Sequence, residues 1–560
     1  MSEQRHAVHQ LAITALAPVH IGTGQDLEPT GYVIDGEDLY LFSPEAALRA
    51  LPATAREELT KVLGAAPTVQ LIKQVQAFFH RNSEALIAEA EHAMPVLPSI
   101  AAEYQQRVGK TAQREDNGRE IINQLAIART YTDAASGRPI LPGSSLKGAI
   151  RTALLDLVND GASLQHRRES NRDLQQRLFN YAQFDCDPMR LVQIGDARDL
   201  SPMETYATEV RYAVNRKRQQ VIGKDGHEIE SQAEKQNLRQ VLECVPPLRP
   251  QAFIGQLGIQ DVAGLASPKL PDASLRWSFA DIAAACNRLY RPIFEREVLE
   301  LRSRGYLSAD WIDTLQQLLT DRQSALEANQ AFLLRVGRHS GAESVTLDGV
   351  RGIRINMGKD PETRRTRYET LSTTKTVWLA VGDIQQRTEM LPFGWVLVEV
   401  APVGKPLPSW PKTLREMLAD LSTVDAAAWS QRIHERRTAL RAVAAECRAR
   451  EQQRAEAAER EAQAEQAKAE RRANLSAEAL RLEELRERLA QDRAAGRKEK
   501  GGELANQLLE VLKAAEQQWS GPVCADLADL AEAIHGYIGW PAKQKKQARQ
   551  ALIAAIRAKA

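Results

Sequence analysis

"RPILPGSSLKGAIRTALL" (residues 138–155) sets the reading of this chain, because within it a loop turns into a helix. Pro142 and Gly143 are turn formers, and Ser144 or Ser145 is placed to cap the helix that follows. Leu146, Ile150, Ala153, Leu154 and Leu157 then recur at helical spacing and give one apolar face. Lys147 and Arg151 stand four apart and share a side of that helix. A helix N-terminus carries unpaired N–H groups and the positive end of the dipole. With two hydroxyls and two cations beside it, such an end can seat a phosphate. The same residues also describe a capped amphipathic helix with two surface cations, and the stretch alone does not separate the two. It lacks the GxxxxGK[ST] spacing, which points away from a nucleoside triphosphatase.

Working outward, 560 residues correspond to three or four domains of ordinary size, and 43% hydrophobic residues suffice for a large core. Aromatic residues are only 5%, so any base-stacking platform is small and local. The 74 basic and 73 acidic residues nearly cancel, at net +1; a polyanion responds to local clusters, not to this total. No apolar run of about 18 residues is present, and "MSEQRHAVHQ" lacks the apolar core of a signal peptide. A cytoplasmic protein without membrane contact is expected. Cys186, Cys244, Cys286, Cys447 and Cys524 are far apart with no CxxC pair, which predicts reduced thiols and neither disulfides nor a zinc site. No metal or cofactor is expected.

Residues 7 to 410 mix β-rich runs such as "AVHQLAITAL" and "WVLVEVAPV" with helical stretches and glycine loops, an α+β pattern. From 423 to 500 the composition shifts to Ala, Glu, Arg and Gln, predicting a helix of roughly 50 residues, ~75 Å long. Leu475, Leu482 and Leu489 recur every seventh residue with Leu485 between them, but Glu478 breaks the series before it defines a coiled coil. "GRKEKGG" (496–502) reads as a hinge. Two or three short helices follow, separated by "SGP" and "GWP". The last, in "WPAKQKKQARQALIAAIRAKA", is expected to dock through Ala551, Leu552, Ile553 and Ile556 with its basic side outward.

Four further stretches carry cations or glycines. In "HIGTGQD" (20–26), Gly22 and Gly24 permit positive φ or close approach of backbone N–H groups to a phosphate. His20 and Asp26 are types that serve acid–base chemistry, yet nothing in the spacing brings both to one phosphate. "LLRVGRHSGAESV" (333–345) sets Arg335, Arg338, His339 and Ser340 around Gly337 and Gly341, a loop that can clamp an RNA backbone or pack as a turn. "RYAVNRKRQQ" (211–220) and "TRRTRY" (363–368) place arginines beside a tyrosine, which suits single-stranded RNA and equally suits a solvated charge run. Both are expected on loops.

Taken together, "LAPVHIGTGQDLEPTGYVI" (16–34), "LPGSSLKGAIRTAL" (141–154), "DPMRLVQIGDARDL" (187–200), "FLLRVGRHSGAESVTLDGVR" (332–351), and "TKTVWLA" followed by "MLPFGWVLVEV" (374–400) resemble, in order, the motifs of the RAMP proteins, the repeat-associated RNA-binding family of CRISPR effector complexes. Among family members the combination is most similar to the subunit that caps the crRNA 3′ side of the subtype III-A complex. The resemblance implies tandem ferredoxin-like (RRM-like) domains. The first would cover 7–250 with helical insertions and the second 251–410 with the glycine-rich loop; a long charged helical segment (411–500) and a small helical segment (501–560) would follow. It also implies contact with crRNA, target RNA and other type III effector subunits, a part in crRNA maturation through a host nuclease, and no catalysis by the chain itself. His20, Gly22, Gly24, Ser144, Ser145, Lys147, Arg151, Arg335, Arg338 and His339 would then hold RNA. Asp26 stands out because related backbone subunits cleave target RNA with an early-loop aspartate, a role not expected of the capping subunit. The rivals are a metal-independent crRNA-processing endoribonuclease, with His20 or His339 as base, and a scaffold that touches only proteins.

Overall fold

The computed structural model describes residues 6–65, 68–110, 125–165, 169–201, 206–223, 226–236, 238–265, 267, 269–360, 362–420 and 424–560. The chain forms two compact units, Met1–Glu446 and Cys447–Ala560.

In the first unit, "AVHQLAITAL" lies in the strand His6–Ala15, which pairs antiparallel with Phe253–Gln260 on one side and Trp395–Pro402 on the other. Ala331–Arg335 extends this sheet beyond Trp395–Pro402, while Val192–Ile194, Ala197–Asp199 and Ile140–Leu141 continue it at the opposite edge. A second sheet runs in the order Thr376–Val381, Glu209–Lys217, Arg239–Cys244, Ile127–Thr130 and Gly22–Leu27. The fold is α+β. Each sheet contains strands from before and after residue 250, and one apolar core reaches from Leu11 to Leu418. The expected boundary at 250 is therefore crossed by hydrogen bonds in both sheets.

The signature stretch forms the helix Gly143–Asn159. Leu146, Ile150, Ala153 and Leu154 are each 1% exposed or less, as the spacing predicts; burying each large aliphatic side chain contributes ~1.5–3 kcal/mol. This face packs with the helix Phe279–Ser303 beside the large sheet. Between the first strands and the signature helix, Tyr32–Asp35, Asp38–Leu41 and His92–Pro95 form a small sheet. Short helices between residues 44 and 88 and the start of the helix Ala426–Ala473 cover it, with Trp429, Ile433 and Leu440 in the shared core.

The second unit is helical. Ala477–Ala494, Glu503–Gln518, Pro522–Ile538 and Lys543–Arg557 surround a core that holds Leu482, Leu485, Leu489, Ile553 and Ile556. The spaced leucines thus pack inside a bundle. The long helix predicted from composition is present with 48 residues, and its start belongs to the first unit, so the units meet the sequence at 446, not at 410 or 500. All five cysteines are free. Among the described residues no helix is long and apolar enough to cross a membrane, and no group of three or more metal-ligating side chains gathers.

Candidate nucleic-acid interface

The helix Gly143–Asn159 begins two residues earlier than a Ser144 cap would place it, and three earlier than a Ser145 cap. Pro142 occupies the cap position and neither serine side chain caps. Instead the Asp196 carboxylate accepts the Gly143 N–H at 2.8 Å. Glycine is required there, because a Cβ would collide with the Ile194 carbonyl, two residues before Asp196. The predicted serine cap is corrected: Ser144 and Ser145 lie inside the first turn, the first exposed and the second partly so. A carboxylate already answers the positive end of this helix, which weakens its pull on a phosphate. Arg151 is also engaged. Its guanidinium meets Asp187 at 2.8 Å, Gln175 at 2.8 Å and the Tyr181 hydroxyl at 3.0 Å, and lies over the Phe179 ring. It braces the neighbouring helix Asn171–Leu178, whereas Lys147 stays half-buried beside it.

The late glycine loop comes to this helix and to the first strand exit together. The Arg338 N–H donates to the His20 carbonyl at 2.8 Å, and Gly337, at φ +81°, sits where a side chain would strike that carbonyl. Further along, the Tyr290 hydroxyl lies 3.0 Å from the Ala149 carbonyl and 3.3 Å from that of Ser344. Asp348 N–H then donates to Asp156, and Asn159 to the Asp348 carbonyl. Stretches nearly 200 residues apart in sequence converge.

Their side chains divide. Arg335 is 2% exposed and paired with Glu297 at 2.6 Å; it also donates to the Phe393 carbonyl and lies over Trp395, whose indole N–H reaches the same Glu297. A charge so buried persists only with its partner, so Arg335 belongs to the core and not to an RNA surface. His20 is wholly buried, with Nδ1 2.7 Å from the Glu243 carbonyl, which places its proton on that nitrogen. Burial lowers its pKa first, and Arg338 adds to this against the Glu243 carbonyl and Asp26. No RNA group can touch the His20 ring without displacing the turn. His339 stacks on Trp378 with Nε2 3.1 Å from Gln240, and burial, then Arg338, lowers its pKa to about 3. Gly22 and Gly24 lie on the exposed edge strand Gly22–Leu27, and Gly24, at φ +80°, has open space around it.

Arg338 itself is exposed, and among the described residues it forms no ion pair. Together with Asp26 it lines a cavity of about 590 Å³, with Arg107, Arg239, Tyr212 and Glu103 deeper in. There Glu103 gathers Arg107 at 2.7 Å, Arg239, and the Tyr212 hydroxyl at 2.5 Å. Arg338 is the open cation of this cleft.

The two arginine-rich stretches are not loops. "RYAVNRKRQQ" supplies most of the interior strand Glu209–Lys217, where Arg211 pairs with Glu209, and Arg216 with Glu234 at 3.4 Å. Arg218, just past the strand, meets Glu343 at 2.6 Å. Glu234 and Glu343 come from elsewhere in the chain, so nothing local in the sequence announces them. "TRRTRY" instead forms the turn and second strand of an antiparallel hairpin, Ile353–Lys359 with Thr366–Leu371. Arg364, Arg365 and Arg367 are exposed, and Arg354 stacks 3.9 Å over the exposed Tyr368 ring. This hairpin combines cations with an aromatic face in the form that single-stranded RNA requires.

Known proteins resemble the chain over part of its length. The family model described as RAMP superfamily matches residues 12–248. A protein described as "CRISPR system Cms protein Csm5" from Mycobacterium tuberculosis (strain CDC 1551 / Oshkosh) is 24% identical over 165 residues, or 28% of this chain and 40% of the relative; the protein of the same description from strain ATCC 25618 / H37Rv matches equally. The alignment thus spans well under half the length of these relatives. A chain from a cryo-EM structure of a Csm–crRNA–target RNA ternary complex of a type III-A CRISPR-Cas system aligns with TM-score 0.39 and 16% identity, covering 70% of this chain and 100% of that one. The crystal structure of T.onnurineus Csm5 gives TM-score 0.38 and 18% identity, covering 69% and 99%.

Proposed function

We propose that the chain, whose residues 12–248 match the RAMP superfamily model, is an RNA-binding subunit of a type III-A CRISPR effector ribonucleoprotein, capping the crRNA 3′ side and contacting target RNA, without catalysis of its own. The observation that carries this reading is the junction of the first strand exit with the late glycine loop, which leaves Arg338 exposed and without an ion pair among the described residues, whereas Arg239 and Arg335 nearby are each matched by a glutamate. The basic hairpin adds Arg364, Arg365, Arg367 and the Tyr368 face. Cations and backbone N–H groups hold the ribose-phosphate chain, and base pairing between guide and target supplies sequence. The burial of His20 and the pairing of His339 speak against either ring as a general base, since that role needs reach to the proton abstracted. Assembly with other Csm-type subunits, and the recruitment of a nuclease that trims crRNA, belong to the same proposal.

A titration of single-stranded RNA across salt tests it. Affinity should fall steeply as ionic strength rises, and precursor RNA should survive incubation in chelator. Salt-independent binding would favour a protein-only scaffold; defined cleavage that is lost on His20→Ala would establish the endoribonuclease.

A further inference from the structure

The start of the helix Ala426–Ala473 builds a second cationic site in the first unit. Trp429 anchors this helix through a 2.7 Å hydrogen bond from its indole N–H to Asp38, and Arg432 and Arg436 pair with Asp38 and Asp35 at 3.0 Å. One helical face further round, the arginines are held by backbone carbonyls: Arg441 donates to the Ala88 carbonyl at 2.8 Å and Arg437 to that of Ala90. These two stand four apart on one helix face, an arrangement in which like charges repel. Across from them Arg129 donates only to Thr132, at 3.3 Å, and its Nε has no partner. The space between is a cavity of about 300 Å³, with His92 and His434 at its sides.

The acids nearby offset part of this charge, with Glu89 acting on Arg437 and Glu243 on Arg129. Asp199 neutralises Arg138 at 2.7 Å. Glu243 forms the floor and takes the Thr208 hydroxyl at 3.0 Å and the Thr130 N–H at 3.1 Å, while Glu91 is exposed at the rim. Burial raises the Glu243 pKa to about 7, which reduces its negative charge near neutrality. Tyr206 and Trp429 are too buried to offer a ring face to a base.

We propose that the cleft between Arg437 and Arg441 on the helix and Arg129 on the opposite strand binds a phosphate group, from an RNA backbone or a nucleoside monophosphate. The volume admits a phosphate with part of its sugar, and the three guanidiniums present donors from two sides, the geometry in which arginine holds phosphate. The site is independent of the RNA reading above, because it shares no residue with the Arg338 cleft or the hairpin.

Thr438 lines the mouth of the cleft and is exposed, so Thr438→Glu introduces a carboxylate without removing any packed side chain. Full-length protein would be titrated with a 30-nucleotide single-stranded RNA, with uridine monophosphate and with inorganic phosphate, using Thr438→Gln as control. If the backbone is the source, Thr438→Glu weakens RNA binding at least fivefold and reduces the salt slope by about one. If the mononucleotide is the source, uridine monophosphate binding is lost while RNA affinity holds. Arg437→Ala with Arg441→Ala should reproduce whichever loss is seen, and if that variant misfolds, Thr438→Glu alone decides. Unchanged binding of all three probes by Thr438→Glu overturns the site. Should wild-type protein ignore RNA yet bind uridine monophosphate at this cleft, the site stands and the RNA-subunit reading fails.

Discussion

The strand Glu209–Lys217 and the hairpin around residues 353–371 have nearly the same ingredients, several arginines and a tyrosine, and opposite fates. In the strand and just past it, Arg211, Arg216 and Arg218 are buried and each meets a glutamate. In the hairpin, Arg364, Arg365 and Arg367 face solvent, and among the described residues none forms an ion pair. Local composition is the same in kind; what differs is whether the fold sets an acid against each cation, Glu209 from two residues away and Glu234 and Glu343 from farther along the chain. A count of cations therefore measures neither stability nor affinity until their partners are known.

Four measurements would break or sharpen that contrast. The largest effect belongs to the buried set. Arg335→Ala strips Glu297 of its partner and should destabilise the first unit by ~3–5 kcal/mol, read by chemical denaturation, with RNA affinity per folded molecule unchanged. A simultaneous loss of RNA affinity from folded protein would erase the division between core and surface arginines.

Next comes a buried carboxylate whose hydrogen bonds come from neutral donors. Burial holds the Glu243 pKa at about 7 against an ordinary 4.5, opposed by Thr208, Arg129 and the Thr130 N–H. Between those values the folded state keeps a proton that the unfolded chain releases. Stability attributable to Glu243 thus falls as pH rises from about 4.5 through about 7, then levels off. His20 and His339, with lowered pKa values, act oppositely and lose stability as pH falls below 6.5, but they are common to wild type and variant. The stability of Glu243→Gln minus that of wild type should therefore grow by up to about 3 kcal/mol between pH 5 and pH 8, measured by urea melts. A flat difference would show the carboxylate ionised throughout.

On the exposed side, Arg364→Glu with Arg365→Glu and Arg367→Glu should leave the melting temperature unchanged and weaken single-stranded RNA binding roughly 10- to 100-fold, with a salt slope lower by about two to three. Stability loss without a change in affinity would reverse the comparison. The smallest effect is that of Arg338→Ala, a single open cation, at roughly three- to tenfold in affinity and within about 0.5 kcal/mol in stability.

Much of the frame was legible in advance. The apolar spacing of Leu146, Ile150, Ala153 and Leu154 placed a buried helix face, and the runs at 7–16 and 395–403 became adjacent strands. The composition after 423 announced the 48-residue helix. The candidate site was legible only in outline. His20, the late loop and the signature helix do meet, but Arg151 and Arg335 proved to be braces, and the expected serine cap gave way to Asp196. Asp187, Asp196 and Glu297 lie 36, 53 and 38 residues from the groups they bind. No spacing rule reaches that far. The small sheet with its helices, and the basic cleft at Arg437, likewise depend on Asp38 and Trp429, 391 residues apart, finding one another.

The sequence by itself determined where helices run, which faces are apolar, and that cations cluster at a few turns, because helix periodicity and turn chemistry act over a handful of neighbouring residues. Tertiary structure alone decided which cations stay open. A charge is matched or free according to what lies within a few ångströms in space, and the long-range pairing of strands sets those distances.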